Sequence, residues 1–181
     1  LLVLDLDETL VHATDRPLPG DRRPDFRVLR YDVYRRPGLD AFLDRVFRLF
    51  RVAVWTSSGA DYARRCARRI EPAGERFAWV WTRERCTARR DPVTDRRYWE
   101  KNFNKLRKRG ENLDRVVAVD DSPEKHRRQY GNLVRVEAWE GEEEDRELER
   151  LGRYLEAELL PRLEAGGSVR TIEKRRWRRQ L

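Results

Sequence analysis

The chain has 181 residues, enough for one domain that buries a real core, and 41% of them are charged, with a formal net charge of +8. No apolar run is long enough to span a membrane, the opening one being broken by Asp5, and the start lacks the basic leader and long apolar region of a signal peptide. The two cysteines, Cys66 and Cys86, exclude a disulfide framework and a CxxC metal pattern; both are expected reduced, in the cytoplasm or nucleus. There is no Met, so Leu1 is not expected to be the translation start. Lysine is confined to Lys101, Lys105, Lys108, Lys125 and Lys174, and arginine supplies the rest of the positive charge. An arginine excess suits phosphate-bearing partners; a GC-rich genome produces the same bias, and the abundance of acidic residues favours that reading for most of them.

In chain order the pattern alternates strands with helices, which predicts an α/β fold with a mostly parallel sheet. LLVL reads as a buried parallel strand. A loop rich in Pro, Gly and Asp (TDRPLPGDRRPD) leads to RVLRYDVY, a hairpin strand. RPGLDAFLDRVFRLF sets Leu39, Phe42, Leu43, Val46, Phe47 and Phe50 at helical spacing. RVAVWTSS is a second buried strand, followed by the helix GADYARRCARRI. FAWVWTRERC is read as another strand, opening an insertion that runs to about Tyr98. WEKNFNKLRKR is a short basic helix, RVVAVDDSP a third strand of the sheet and NLVRVEAW a fourth. EEEDRELERLGRYLEAELLPRL puts Leu148, Leu151, Leu155, Leu159 and Leu163 on one face, behind an acidic first turn. Residues 1–164 are expected to form the domain and 165–181 a basic, solvated tail. Trp55 and Trp139 are assigned to the core. His12 and His126 are unpaired by spacing and are not expected to form a metal or catalytic site.

Two strands end in acidic pairs, LDLDET and AVDDSP, and a third ends in hydroxyls, WTSS. In a parallel sheet these ends share one edge, where open α/β sheets bind ligands. Carboxylates brought together there repel one another and raise their pKa values. A divalent cation resolves the conflict, and hard oxygen ligands select Mg²⁺. One carboxylate can then act as nucleophile and another as general acid and base. Thr56 and nearby backbone N–H groups can hold phosphate oxygens, and a lysine can neutralise the remaining charge. This is equipment for phosphoryl transfer to an aspartate and then to water.

DLDET at 5–9 resembles motif I (DxDxT) of the haloacid-dehalogenase (HAD) superfamily, WTSS its motif II and VDDSP its acidic motif IV. More narrowly, DLDETLVH, YRRPGLDAFL, WTSSGADYA, TRERC, KNFNKL and VDDSP follow, in order, the pattern of the FCP/SCP-like small C-terminal-domain phosphatases. The resemblance implies a Rossmann-like fold with a central, mostly parallel sheet flanked by helices, a small β insertion and no large cap. It implies that Asp5 is the nucleophile and Asp7 the acid and base, with the Asp7 backbone carbonyl on Mg²⁺. Thr56 and Lys101 would hold the phosphate, with Lys105 as a fallback lysine. Asp121 would bind the metal, with Asp5 beside it, and Asp120 would orient Lys101 or support the metal. Thr9, Ser57, Tyr62 and Arg83 complete the implied phosphate and substrate contacts. Gly59 stands where relatives can carry an apolar side chain, which weakens the expected substrate clamp.

The implied activity is Mg²⁺-dependent hydrolysis of phosphoserine or phosphothreonine in a protein, by a monomer with no membrane partner. The segment between DLDET and RRPG is too short for a folded cap, which suits a phosphate displayed on a macromolecule. RRYWEKNFNKLRKR and EKRRWRRQL keep a nucleic-acid-end phosphatase as the alternative. A non-catalytic interaction module is the other, against which the intact set Asp5, Asp7, Thr56, Lys101 and Asp121 argues.

Overall fold

The computed structural model describes residues 1–20 and 22–180. Strand β1 (Leu2–Leu4) is buried at every position, so it has no face to offer water and lies mid-sheet. An antiparallel unit follows, made of β2 (Val11–Thr14), β3 (Phe26–Val28) and β4 (Tyr31–Arg35). Helix α1 (Leu39–Leu49) buries Leu39, Phe42, Leu43 and Val46. It leads into the fully buried β5 (Val52–Trp55) and then α2 (Ala60–Ile70). β6 (Val80–Trp81) precedes a hairpin of β7 (Thr87–Arg90) and β8 (Arg97–Glu100), and α3 (Asn104–Arg107) is a single turn. β9 (Val117–Asp120) and β10 (Leu133–Arg135) complete the sheet, and α4 (Glu147–Tyr154) opens the last helix.

The central sheet runs β10-β9-β1-β5-β6 with every neighbouring pair parallel. From β1 the chain builds outward through β5 and β6, then returns to the other side for β9 and β10. The reversal falls between β1 and β9, and the crevice beyond the carboxyl ends of such strands is where this architecture binds ligands. Register aligns Leu4 with both Val54 and Val119. The next residues, Asp5, Trp55 and Asp120, therefore emerge level with one another. The fold is the α/β arrangement expected, with the β7–β8 hairpin as its small insertion and no large cap among the described residues.

Four local expectations change. RVLRYDVY is two strands, because Leu29 and Arg30 form a turn with Leu29 at φ 55°; without Gly or Asn, the alternation conceals the reversal. Only Val80–Trp81 of FAWVWTRERC is extended, since Arg83–Arg85 coil into a 3₁₀ turn. Trp99 and Glu100 belong to β8, so the basic helix shrinks to one turn. Leu148, Leu151, Leu155, Leu159 and Leu163 are all buried, as expected, but a π-helical turn at Leu155–Leu159 intervenes. Spacings of four drift by roughly 40° per step around an α-helix, and a wider turn brings the leucines back onto the sheet.

The segment expected to be solvated packs down instead. Val169 and Trp177 are buried; the Trp177 indole donates to the Arg135 carbonyl at 2.8 Å and lies 5.5 Å from the Tyr154 ring. The arginines flanking Trp177 disguise it as a surface residue, yet Arg178 itself pairs with buried Glu147. Trp55 and Trp139 are core residues, as expected, and both cysteines are free and buried. No helix among the described residues is long and apolar enough to cross a membrane.

Candidate active site

Beyond β1 the backbone doubles back through Glu8, whose φ of 56° is left-handed. The Glu8 N–H donates to the Val11 carbonyl at 2.8 Å, and the Leu10 N–H donates to the Leu6 carbonyl at 2.9 Å. Leu6 and Leu10 are fully buried and anchor the loop from below. Arg36, itself buried, ties it from the side. Its Nη1 donates to the Thr9 carbonyl at 3.2 Å and the Glu8 carbonyl at 3.4 Å. Its Nε and Nη2 grip the Asp145 carboxylate in parallel at 2.9 Å. Asp5 and Asp7, one on each side of anchored Leu6, are thereby fixed.

Asp5 lies between two ammonium groups. Lys101 Nζ is 2.8 Å from its Oδ1 and Lys125 Nζ is 3.0 Å from its Oδ2. Lys101 also reaches Asp120 Oδ2 at 2.5 Å, and His126 Nε2 lies 2.8 Å from that same oxygen. Burial opposes ionisation of Asp120, but Lys101, Lys125 and His126 overcome it and hold the carboxyl well below its usual range. Burial likewise works against the Lys125 ammonium, yet Asp5, Asp120 and Asp121 raise its pKa above the ordinary lysine value.

Asp7 faces the other way. Its Oδ1 accepts the Tyr62 hydroxyl at 2.6 Å; its Oδ2 accepts Ser58 Oγ at 2.6 Å and Thr56 Oγ1 at 3.3 Å. Burial raises the Asp7 pKa, the Ser58 and Tyr62 hydrogen bonds pull against that, and the nearby Asp5 and Glu8 charges add to it. The result is a carboxyl inclined to keep a proton, as a general acid requires. Asp7 opens onto a cleft of about 620 Å³ whose wall includes Leu29, Tyr31, Ser57, Tyr62, Arg83 and Lys125.

Asp5, Asp120 and Asp121 each offer an oxygen, all within 4.8 Å of one another. Asp121 Oδ1 is buried with no hydrogen-bond partner. Burial pushes the Asp121 carboxyl up to about 6, Lys125 opposes that shift, and the charges of Asp120 and Asp5 reinforce it. An all-oxygen set holding an unsatisfied carboxylate fits a hard divalent cation such as Mg²⁺. The Asp7 carboxylate lies outside this group and is turned instead to Tyr62, Ser58 and Thr56.

Of the residues singled out from the sequence, Ser57, Tyr62 and Arg83 line the cleft, and the Arg83 Nε donates to the Ser57 carbonyl at 2.7 Å. The Thr56 hydroxyl is engaged within the site, accepting the Ser58 N–H at 3.0 Å as well as facing Asp7. Thr9 does not join them; its hydroxyl is buried without a partner. Lys105 turns away, donating to the Arg85 and Cys86 carbonyls at 2.8 and 3.3 Å. Three participants escaped the sequence reading: Ser58, Lys125 and His126. Ser58 stands in WTSS and was legible in principle. Lys125 and His126 sit on a 3₁₀ turn at Pro123–His126, whose orientation no local pattern reports.

The sequence matches the family model described as NLI interacting factor-like phosphatase over residues 1–165. It is 34% identical over 162 residues to CTD small phosphatase-like protein 2 of Dictyostelium discoideum, covering 86% of this chain and 27% of that protein. It is 32% identical over 163 residues to the human carboxy-terminal domain RNA polymerase II polypeptide A small phosphatase 1, covering 86% of this chain and 58% of that one. The chain thus spans between about a quarter and three-fifths of these relatives. Among solved structures, fission yeast RNA polymerase II CTD phosphatase Fcp1-R271A bound to beryllium fluoride superposes with a TM-score of 0.62 at 19% identity, covering 93% of this chain and 68% of that one. That likeness establishes the fold. With its carboxylates gathered at the switch point of that fold and the family model matched from residue 1 to residue 165, the chain belongs to the NLI interacting factor-like phosphatases.

Proposed function

We propose that the chain is an Mg²⁺-dependent phosphatase that removes phosphate from phosphoserine or phosphothreonine in proteins through an aspartyl-phosphate. The observation that carries this reading is the opposed setting of two aspartates on one loop: Asp5 held between the amino groups of Lys101 and Lys125 at 2.8 and 3.0 Å, Asp7 hydrogen-bonded at the cleft and inclined to hold a proton. An Asp5 oxygen attacks phosphorus, forming the O–P bond as the bond to the substrate oxygen breaks. Asp7 gives its proton to that leaving oxygen. Asp7, now a carboxylate, takes a proton from water; the hydroxide attacks phosphorus, the acyl phosphate breaks, and inorganic phosphate leaves Asp5 free. Lys101 holds Asp5 and Asp120 in place and neutralises the transferring group. When bound at Asp5, Asp120 and Asp121, Mg²⁺ supplies further neutralisation of phosphoryl charge.

A protein substrate is supported by the family and by the open cleft. The test is one panel of phosphopeptides and 5′-phosphorylated oligonucleotides, assayed across salt concentrations with Mg²⁺ or excess chelator. Phosphopeptide turnover that needs the metal and varies little with salt is expected. Selective turnover of oligonucleotides would refute the protein-substrate reading. There each single-strand phosphate contacted would cost about 0.7 log unit of affinity per log unit of salt. Full activity in chelator would refute the metal.

A further inference from the structure

Lys125 occupies a position that the proposed chemistry leaves no room for. Its ammonium lies 3.0 Å from Asp5, 3.6 Å from Asp120 and 4.0 Å from Asp121. These are the three carboxylates that form the cation cluster. We propose that Lys125 is a resident counter-ion of this cluster: it holds the three carboxylates together when no divalent ion is present and must swing aside before one binds. The inference rests on these carboxylates being the metal centre of the proposed phosphatase.

Three observations converge on it. First, charge: the three carboxylates are matched by Lys101 together with a divalent ion, so Lys125 becomes surplus once the metal enters. Second, access: the Asp5 side chain is 1% exposed, with one ammonium on each oxygen, so nothing can approach it while both lysines stay. Third, mobility: Lys101 is equally buried and spans Asp5 and Asp120, whereas the Lys125 side chain is 16% exposed and also borders the cleft. The Lys125 carbonyl is pinned by the Lys101 N–H at 2.9 Å, so only its side chain needs to move. Rotated out of the cluster, it enters the cleft that holds Asp7 and Arg83, where a phosphate dianion would arrive. Lys125 is in this sense a positioning residue that keeps the nucleophile covered until the metal is in place.

The test measures metal binding directly, on the whole chain without substrate. Mn²⁺ affinity is read by calorimetry and by loss of the free-ion paramagnetic resonance signal, for the parent, Lys125→Met and Lys125→Arg. Circular dichroism checks that each variant is folded. Removing a competing unit charge several ångström from a divalent ion is expected to tighten Mn²⁺ binding by about tenfold or more in Lys125→Met. Lys125→Arg, which keeps the charge, is expected to bind no more tightly than the parent. A purely structural lysine would lower the melting temperature of Lys125→Met without tightening its metal binding. Unchanged or weaker Mn²⁺ binding by Lys125→Met therefore overturns the inference while leaving the metal centre standing. Absence of binding in all three proteins overturns both. If Lys125→Met does not fold, tighter binding by Lys125→Arg than by the parent overturns the inference, and binding no tighter than the parent's supports it.

Discussion

Arg36→Met removes the guanidinium that joins the DLDET loop to Asp145 while nearly preserving its apolar stem. In the parent the Arg36 side chain is 0% exposed and that of Asp145 17% exposed. Breaking a buried pair from one side costs roughly 3–5 kcal/mol, because the abandoned charge stays behind. Asp145 retains some water, which points to the lower end, but the Glu8 and Thr9 carbonyls also lose a donor at about 1 kcal/mol or more. About 4 kcal/mol is therefore expected, or roughly 8–16 °C in melting temperature for a domain of this size. Urea unfolding and calorimetry measure it. Burial opposes ionisation of Asp145, yet the Arg36 hydrogen bonds and charge lower its pKa. A depressed folded pKa means the stabilisation is complete above the unfolded value of about 4 and is lost as pH falls through the folded one. The gap between parent and variant should thus be flat from pH 5 to 8 and narrow below about pH 4. A melting temperature within about 2 °C of the parent at pH 7, equivalent to roughly 0.5–1 kcal/mol, would refute this account of how the loop is held.

Asp5→Asn should abolish turnover, because a neutral amide is no nucleophile for phosphorus, and Asp7→Asn should lower kcat by roughly two to four orders of magnitude; near-normal rates for either in a phosphopeptide assay would reverse their roles. Lys101→Ala should lower kcat by about a hundredfold or more, as loss of a buried charge stabiliser does. Lys105→Ala should leave activity near the parent and stability within about 0.5 kcal/mol; equal losses would mean that the wrong lysine has been assigned. Trp177→Ala should cost about 3–5 kcal/mol in urea unfolding, the usual range for a buried tryptophan, and an unchanged midpoint would return residues 165–181 to the solvent.

The strand-end carboxylates were legible in the sequence because two physical rules coincide there. A wholly apolar strand belongs mid-sheet, and carboxylates directly after it must sit at the sheet's edge with something to bind. Register then did the rest, bringing Asp5 level with Asp120. What could not be read depends on orientation rather than pattern. Lys125 and His126 lie in a charged, solvent-like stretch, EKHRR, and only the 3₁₀ turn aims them inward. Leu29 gives no sign of a turn because it adopts a conformation its side chain disfavours. Trp177 is an anchor written in the composition of a surface.

The two aspartates of the DLDET loop are gripped by two separate stretches of the chain. Asp7 takes its hydrogen bonds from Thr56, Ser58 and Tyr62, all before the β7–β8 hairpin; Asp5 takes its ion pairs from Lys101 and Lys125, both after it. The hairpin thus separates, along the sequence, the residues that hold Asp7 from those that hold Asp5. Only the exposed tip of the hairpin, residues 92–96, can lengthen, shorten or change charge without touching either the acid or the nucleophile, because the Trp81 carbonyl accepts the Thr56 N–H at 2.9 Å and Arg83 donates to the Ser57 carbonyl at 2.7 Å. What the hairpin tip presents to solvent and what the site holds for chemistry are separable in this architecture by nothing more than the order in which the chain visits its own first loop.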